Sequence, residues 1–472
     1  MRDNRLTMIN SRIFKANDIR GVVTGPSPEW DLAGAHAIGI AAAEVLGIAG
    51  GKGAIVLGRD MRTTSPEFAA AFADGVLSRG GDVIDIGLAS TDELWFASGH
   101  LDLPGVMFTA SHNPGNYNGI KFCHAQARPM QPAELVAIRD RALALDSAST
   151  DSSSTLSDSS PEPATRPGIL TQRDLLPAYA EHLHSLVDLS GIRRLKVVVD
   201  AGNGMGGLTT PAVLGSANLE LIGLYLDLDG SFPNHPPNPL EPENLVDAQA
   251  AVREHGADLA VVFDGDADRC FVIDERGEVV SPSAITALIA VRELARDPGS
   301  AIVINKITSQ SVPKLVSAAG GRTVITRVGH TFVKAAMAEH DAVFGGEHSA
   351  HFYFRDFWGA DTGMLAALHV LAAAGSTNEP LSALVDQYTH FAASGEINST
   401  VADVEPVLAQ LERQFAGRAV SDRIDGLTLT GDGWWVNVRP SNTEPLLRLN
   451  VEAPTAAEVD ALRDEALAII RA

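Results

Sequence analysis

The chain has 472 residues, 45% of them hydrophobic and 20% charged, with a formal net charge of −23 and only two cysteines. This is the composition of an ordinary globular protein, long enough for about three domains. The charge argues against nucleic acid or an anionic membrane as a partner, and the lone Cys123 and Cys270 argue against a disulfide framework and fit a reducing cytoplasm. No apolar run reaches the ~18 residues of a membrane span. The alanine-rich stretch 33–49 comes nearest, but His36 and Glu44 interrupt it. Along the chain the spacing then predicts a strand over 54–58, a helix over 66–78, and strands over 82–87 and 105–108.

The strand over 105–108 leads into Thr109-Ala-Ser-His-Asn-Pro114. Proline fixes its own φ and pushes Asn113 out of the helical region, so Ser111 is expected on a tight, exposed turn. A hydroxyl there suits a nucleophile or a phosphate carrier, although serine and asparagine also make plain turns. Lys121 follows closely and brings a cation. The serine-rich stretch 147–160 and the prolines after it read as a linker or surface loop.

A strand over 195–200 opens the next unit. It is followed by Gly202-Asn-Gly-Met-Gly-Gly207, which satisfies the dinucleotide fingerprint, with Asp227 and Asp229 roughly where a ribose-binding acid would lie. An NAD-dependent dehydrogenase is therefore one alternative. A simple strand-to-helix turn explains the same glycines.

The apolar run 257–263 then reaches Asp264-Gly-Asp-Ala-Asp-Arg269. In an extended segment the i, i+2, i+4 spacing points the carboxylates of Asp264, Asp266 and Asp268 the same way. Three converging carboxylates ask for a cation, and oxygen ligands suit magnesium, calcium or manganese rather than zinc. A calcium hand fails at its sixth position, where Arg269 replaces the required glycine, and 270–274 looks like a strand. Magnesium ranks first, with a solvated acidic turn as the bland alternative. A helix over 284–294 and a strand over 301–304 follow. A smaller unit from about 397 contains Arg439-Pro-Ser-Asn-Thr-Glu444, whose guanidinium, hydroxyls and amide suit the oxygens of a phosphate, although taken alone the motif reads first as an ordinary polar turn between strands.

Taken together and in this order, these motifs resemble the α-D-phosphohexomutase superfamily, and most closely its bacterial phosphomannomutase/phosphoglucomutase branch. Lys15-Ala-Asn-Asp-Ile-Arg-Gly21 and Gly345-Gly-Glu-His-Ser-Ala-His351 complete the set, and the resemblance runs from about Ile13 to Glu452. It implies an α/β chain of four domains around a central cleft, three of them similar and the last a smaller α+β domain. The implied boundaries are 1–146, a linker over 147–167, 168–277, 278–390 and 391–472.

The resemblance also implies chemistry. Ser111 would carry a phosphoryl group, and Ser111, Asp264, Asp266 and Asp268 would hold one Mg2+ ion. Arg20, His112, Lys121, Arg269 and His351 are the implied catalytic groups. Glu347 and Ser349 would read sugar hydroxyls, with Lys306 and His330 nearby. Arg439, Ser441, Asn442, Thr443 and Arg448 would grip the phosphate that does not react. The implied reaction interconverts mannose 1-phosphate and mannose 6-phosphate through hexose 1,6-bisphosphate.

His348 stands where phosphoglucosamine mutases usually have glutamine, which favours hexose over hexosamine but leaves mannose against glucose open. Asn17 replaces a tyrosine common among relatives, so an aromatic contact is missing. The expected partner is a phosphorylated hexose, with no nucleic acid and no membrane, for a cytoplasmic monomer or weak dimer. Phosphoglucomutase, phosphoglucosamine mutase, sugar-phosphate phosphatase and a sugar-phosphate sensor are the further alternatives.

Overall fold

Runs of β-branched residues become strands, and alanine- and leucine-rich stretches become helices, in alternation. The computed structural model describes residues 9–150, 166–215, 218–441 and 446–472, with the side chains of 148–150 left undescribed. The chain packs as two units, Met1–Val279 with Tyr353–Pro380, and Val280–Phe352 with Leu381–Ala472.

The first unit holds two sheets. One contains β1 (Ile19–Val22), β2 (Ala54–Arg59), β3 (Asp82–Leu88), β4 (Gly105–Phe108), β5 (Tyr117–Cys123) and β6 (Leu170–Gln172), in the order β1-β5-β4-β2-β3-β6. Strands β4, β2, β3 and β6 pair in parallel, while β5 runs against both neighbours. The helices Leu32–Val45 and Ser65–Ser78 pack with this sheet around Ile38, Phe72 and Phe108. In the other sheet, β7 (Leu195–Asp200) lies parallel to β8 (Leu219–Leu224) and β9 (Leu259–Phe263), and β10 (Cys270–Asp274) runs against β9.

Residues 353–380 complete this unit. The Thr362 hydroxyl donates to Asp92 at 2.7 Å, and the Arg193 N–H donates to the Gly375 carbonyl at 2.9 Å. All 13 residues of the helix Gly363–Gly375 are buried. The sequence Gly-Met-Leu-Ala-Ala-Leu-His-Val-Leu-Ala-Ala-Ala-Gly is apolar on every side, which marks a helix covered all round.

In the second unit the strand Ala301–Asn305 pairs in parallel with Arg322–Thr326 and with Phe344–Gly346. Its C-terminal portion is an antiparallel sheet of Val420–Asp422, Leu427–Thr430, Trp435–Pro440 and Leu447–Ala453, with Ala392–Ala393 and Ile397–Ser399 both added to the last strand. The helices Val404–Gln414 and Ala456–Ile470 close its core at Leu411, Phe415, Leu462 and Ala466. Three α/β stretches therefore precede one α+β stretch.

The expected helix over 284–294 runs from Pro282 to Arg296, started by the Ser281 side chain. The helix Pro132–Thr150 extends into the expected linker, whose residues 151–165 lie outside the described residues. The motifs sit at the carboxyl ends of parallel strands: Ser111 after β4, Asp264 after β9, Lys306 after Ala301–Asn305 and Glu347 after Phe344–Gly346. Open α/β sheets place ligands there because the helices and turns that follow aim backbone N–H groups outward.

Candidate active site

Ser111 occupies the left-handed region at φ 49°, which is uncommon for a residue with a side chain. Such a conformation costs ~1–3 kcal/mol and persists only where its surroundings fix it. Arg62 supplies that constraint. Its guanidinium donates to the carbonyls of Ser111 (2.8 Å), Asn113 (2.6 Å), Pro114 (2.7 Å) and Tyr117 (3.1 Å), while Asp60 accepts from its Nε at 3.1 Å. The Thr109 hydroxyl accepts the Ser111 N–H at 2.9 Å. Ser111 is only 5% accessible, so the expected exposed turn is corrected to a buried one. The aspartate loop covers it. A Cβ on Gly265 would stand 2.4 Å from the Ser111 carbonyl oxygen, so only glycine permits the two loops to meet.

Ser111 Oγ donates to Asp264 Oδ2 at 2.9 Å. Asp264, Asp266 and Asp268 each present a carboxylate oxygen within 4.8 Å of the others. The three carboxylates converge as expected, but by a different route. The segment is a turn with Ala267 at φ 61°, not an extended strand, and the turn brings the carboxylates together. Lys121 Nζ donates to Asp266 Oδ2 (2.7 Å) and Asp268 Oδ2 (2.6 Å), and Arg269 Nε donates to Asp264 Oδ2 (2.8 Å). Three carboxylates facing two cations leave one negative charge. A divalent ion would turn the cluster net positive, which suits a phosphoryl ligand. The buried Oδ1 of Asp266 has no hydrogen-bond partner among the described residues, and all the donors are hard oxygens, so the cluster fits magnesium.

Burial drives the Asp264 carboxyl well above its usual range, with Arg269 offsetting only part of it. Burial also works against ionised Asp266, but Lys121, Thr91 and Arg269 together outweigh it and hold that carboxyl low. Lys121 is itself disfavoured by burial, yet Asp266 and Asp268 keep it firmly protonated. Burial and then Arg269 hold His112 well below the usual imidazole range. Its Nδ1 therefore accepts from Arg269 at 2.7 Å and lies 3.2 Å from Ser111 Oγ. Arg20 pairs with Asp18 at 2.6 Å and donates to Asn113 Oδ1 at 2.8 Å, beside the serine loop.

The remaining expected residues lie in the second unit. Glu347 Oε1 accepts from the Gly329 N–H (3.0 Å) and Asn305 Nδ2 (3.2 Å), while Ser349 Oγ and His351 Nδ1 are 2.9 Å apart. His330 opens the helix His330–His340. Lys306 pairs with Asp422 at 2.5 Å. Arg439 and Arg448 both pair with Glu396, at 2.9 and 3.1 Å. The Ser441 N–H donates to the Leu446 carbonyl at 2.8 Å, and Asn442 and Thr443 lie outside the described residues.

The dinucleotide fingerprint has another use. The Met205 N–H donates to the Gly265 carbonyl at 2.9 Å, and a Cβ on Gly204 would stand 2.7 Å from that same oxygen. The backbone that would meet a pyrophosphate instead props the aspartate loop. Sequence reasoning missed Arg62, Thr91 and Glu396. Thr91 Oγ1 donates to Asp266 Oδ2 at 2.6 Å, and its N–H donates to the Asp266 carbonyl at 2.9 Å. The charged Arg59-Asp60-x-Arg62 run directly after a buried strand was the available signal for the first of these.

Four family models match the chain in succession. They are Phosphoglucomutase/phosphomannomutase, alpha/beta/alpha domain I (residues 11–149), domain II (177–277) and domain III (281–391), and the C-terminal domain (396–469). The chain is 40% identical over 449 residues to a phosphomannomutase of Escherichia coli K12, covering 93% of this chain and 94% of that one. It is also 40% identical over 443 residues to a protein named phosphohexose mutases in Xanthomonas campestris pv. campestris, covering 93% and 94%. A crystal structure of a phosphoglucomutase/phosphomannomutase family protein from Burkholderia thailandensis superposes with a TM-score of 0.86 at 31% identity, covering 98% of each chain.

Proposed function

The chain belongs to the phosphoglucomutase/phosphomannomutase family, and we propose that it interconverts mannose 1-phosphate and mannose 6-phosphate, with glucose phosphates as further substrates. The observation that carries this reading is the buried Ser111 hydroxyl, 2.9 Å from Asp264 in a three-carboxylate cluster flanked by Lys121 and Arg269. That combination serves phosphoryl transfer, where positioning and charge compensation dominate.

In the resting enzyme Ser111 carries a phosphoryl group. The 6-hydroxyl of mannose 1-phosphate attacks its phosphorus. The bond from phosphorus to Ser111 Oγ breaks as the new bond forms, and the proton lost by the sugar hydroxyl is balanced by the one gained at Ser111. The resulting mannose 1,6-bisphosphate turns over, and its other phosphoryl group returns to Ser111. Lys121, held charged, and Arg269 stabilise the oxygens of the transferring group. Neutral His112 orients the loop by accepting from Arg269. Asp264, Asp266, Asp268 and the Ser111 oxygen would hold one magnesium ion, which when bound withdraws charge from the phosphoryl oxygens. Glu347, Ser349, His351 and His330 attend the sugar, and Lys306, Arg439, Ser441, Asn442, Thr443 and Arg448 take the phosphate that does not react. The protein acts in the cytoplasm as a monomer or weak dimer.

Phosphorus NMR of the purified protein tests this, with magnesium, mannose 1-phosphate and a trace of hexose 1,6-bisphosphate, and glucose 1-phosphate in parallel. Conversion to the 6-phosphate is expected, and the two rates give the sugar preference. Release of inorganic phosphate alone would make the protein a phosphatase. Two unchanged sugars would overturn the assignment.

A further inference from the structure

Arg439 and Arg448 are direct partners across the antiparallel strands Trp435–Pro440 and Leu447–Ala453. Two like charges placed opposite each other in such a pair repel. Burial makes this worse for Arg439, which is only 5% accessible. Its Nε is buried without a hydrogen-bond partner among the described residues. An anion between the two guanidiniums offsets this repulsion.

Glu396 is that anion. Its Oε2 lies 2.9 Å from Arg439 and its Oε1 lies 3.1 Å from Arg448. One carboxylate thus spans both cations with its two oxygens, as two oxygens of a phosphate would. Its attachment is light. Glu396 stands between the short strands Ala392–Ala393 and Ile397–Ser399, beside Gly395 at φ 68° with open space around it, and its side chain is 27% exposed. It can swing aside without opening a cavity.

We propose that Glu396 is a built-in stand-in for the non-reacting phosphate of the hexose. It satisfies Arg439 and Arg448 between turnovers and gives them up when the phosphate arrives. This deepens the mutase reading and rests on it for the identity of the ligand. Each phosphate of the bisphosphate must occupy and leave this position in turn. A competing carboxylate weakens the grip and so hastens exchange, at the expense of ground-state affinity.

The test compares the full-length wild type with Glu396→Gln, which keeps the shape and removes the charge, and Glu396→Asp, which keeps the charge. Calorimetric Kd for mannose 1-phosphate is measured beside KM and kcat. Removing one competing charge should tighten Kd and lower KM by about tenfold, with kcat falling severalfold as release slows. Glu396→Asp should follow the wild type. Unchanged or weaker binding in Glu396→Gln, in a wild type that interconverts the sugar phosphates, would overturn the stand-in. If the wild type converts no hexose phosphate, the mutase reading fails by itself. Inorganic phosphate is then the probe: tighter binding by Glu396→Gln upholds the stand-in, and equal or weaker binding overturns it.

Discussion

Asp266 shows how much one side chain in this protein has to do. It accepts from Lys121 and from Thr91, and keeps one buried oxygen without a partner among the described residues. Asp266→Asn preserves an acceptor for both donors and removes a charge from the cluster. Turnover should fall by about 10²–10³, the usual cost of losing one preorganised electrostatic group. The magnesium concentration needed for half-maximal rate should rise. A titration of rate against magnesium checks both, and an unchanged metal response would count against this cluster as the metal site. Ser111, Lys121 and the three aspartates were legible in the sequence because each lies in a short contiguous motif. Arg62, Thr91 and Glu396 were not, because their value depends on distant partners. Arg62 is 49 positions from the serine whose carbonyl it holds, and Thr91 is 175 positions from Asp266. The same distance explains the misjudged exposure of Ser111, since the loop that covers it comes from another sheet.

Among the elements, the first turn of the helix Thr91–Leu101 carries an unusual burden. Ser90 caps it by accepting the Glu93 N–H at 3.2 Å, and Asp92 receives hydroxyls from Tyr179 and Thr362, both at 2.7 Å. This turn therefore joins three stretches of chain directly behind Asp266. Glu93 is buried with Oε2 unpartnered among the described residues, and burial together with the nearby Asp92 pushes its carboxyl up to about 8. In the unfolded chain the same group loses its proton near pH ~4.3. The folded state thus binds the extra proton across that window, and stability falls as pH rises from about 4.5 to about 8, then levels off. Asp92, raised by burial to about 6, adds to the slope below that pH. Glu93→Gln should match the wild type near pH 5 and exceed it by roughly 2–4 kcal/mol at pH 8 and above. Urea unfolding at the two pH values measures the difference, and parallel pH dependences would refute the argument. The helices expected over 66–78 and 284–294 were readable from composition and periodicity to within two residues at each end, whereas a carboxyl kept neutral inside a turn leaves no trace in a local window.

On the scale of the whole molecule, the chain leaves the first unit at Val279 and returns to it for Tyr353–Pro380. The helix Gly363–Gly375 went unread in the sequence, and its destination could not be read there either, because an apolar surface on all sides shows no one-sided period and says nothing about which neighbours cover it. A fragment ending at 279 should therefore be insoluble or melt well below the full chain, since Asp92 loses the Thr362 hydroxyl and the Arg193 N–H loses the Gly375 carbonyl along with the helix. A folded, fully soluble fragment with a melting curve like that of the whole chain would contradict this. The return also gives synthesis a timetable. At about 5–20 residues per second, the 101 residues from 280 to 380 take roughly 5–20 s to be added. For that interval the nascent first unit waits with a greasy face uncovered. Slower synthesis across 280–380 lengthens that exposure, and faster synthesis shortens it.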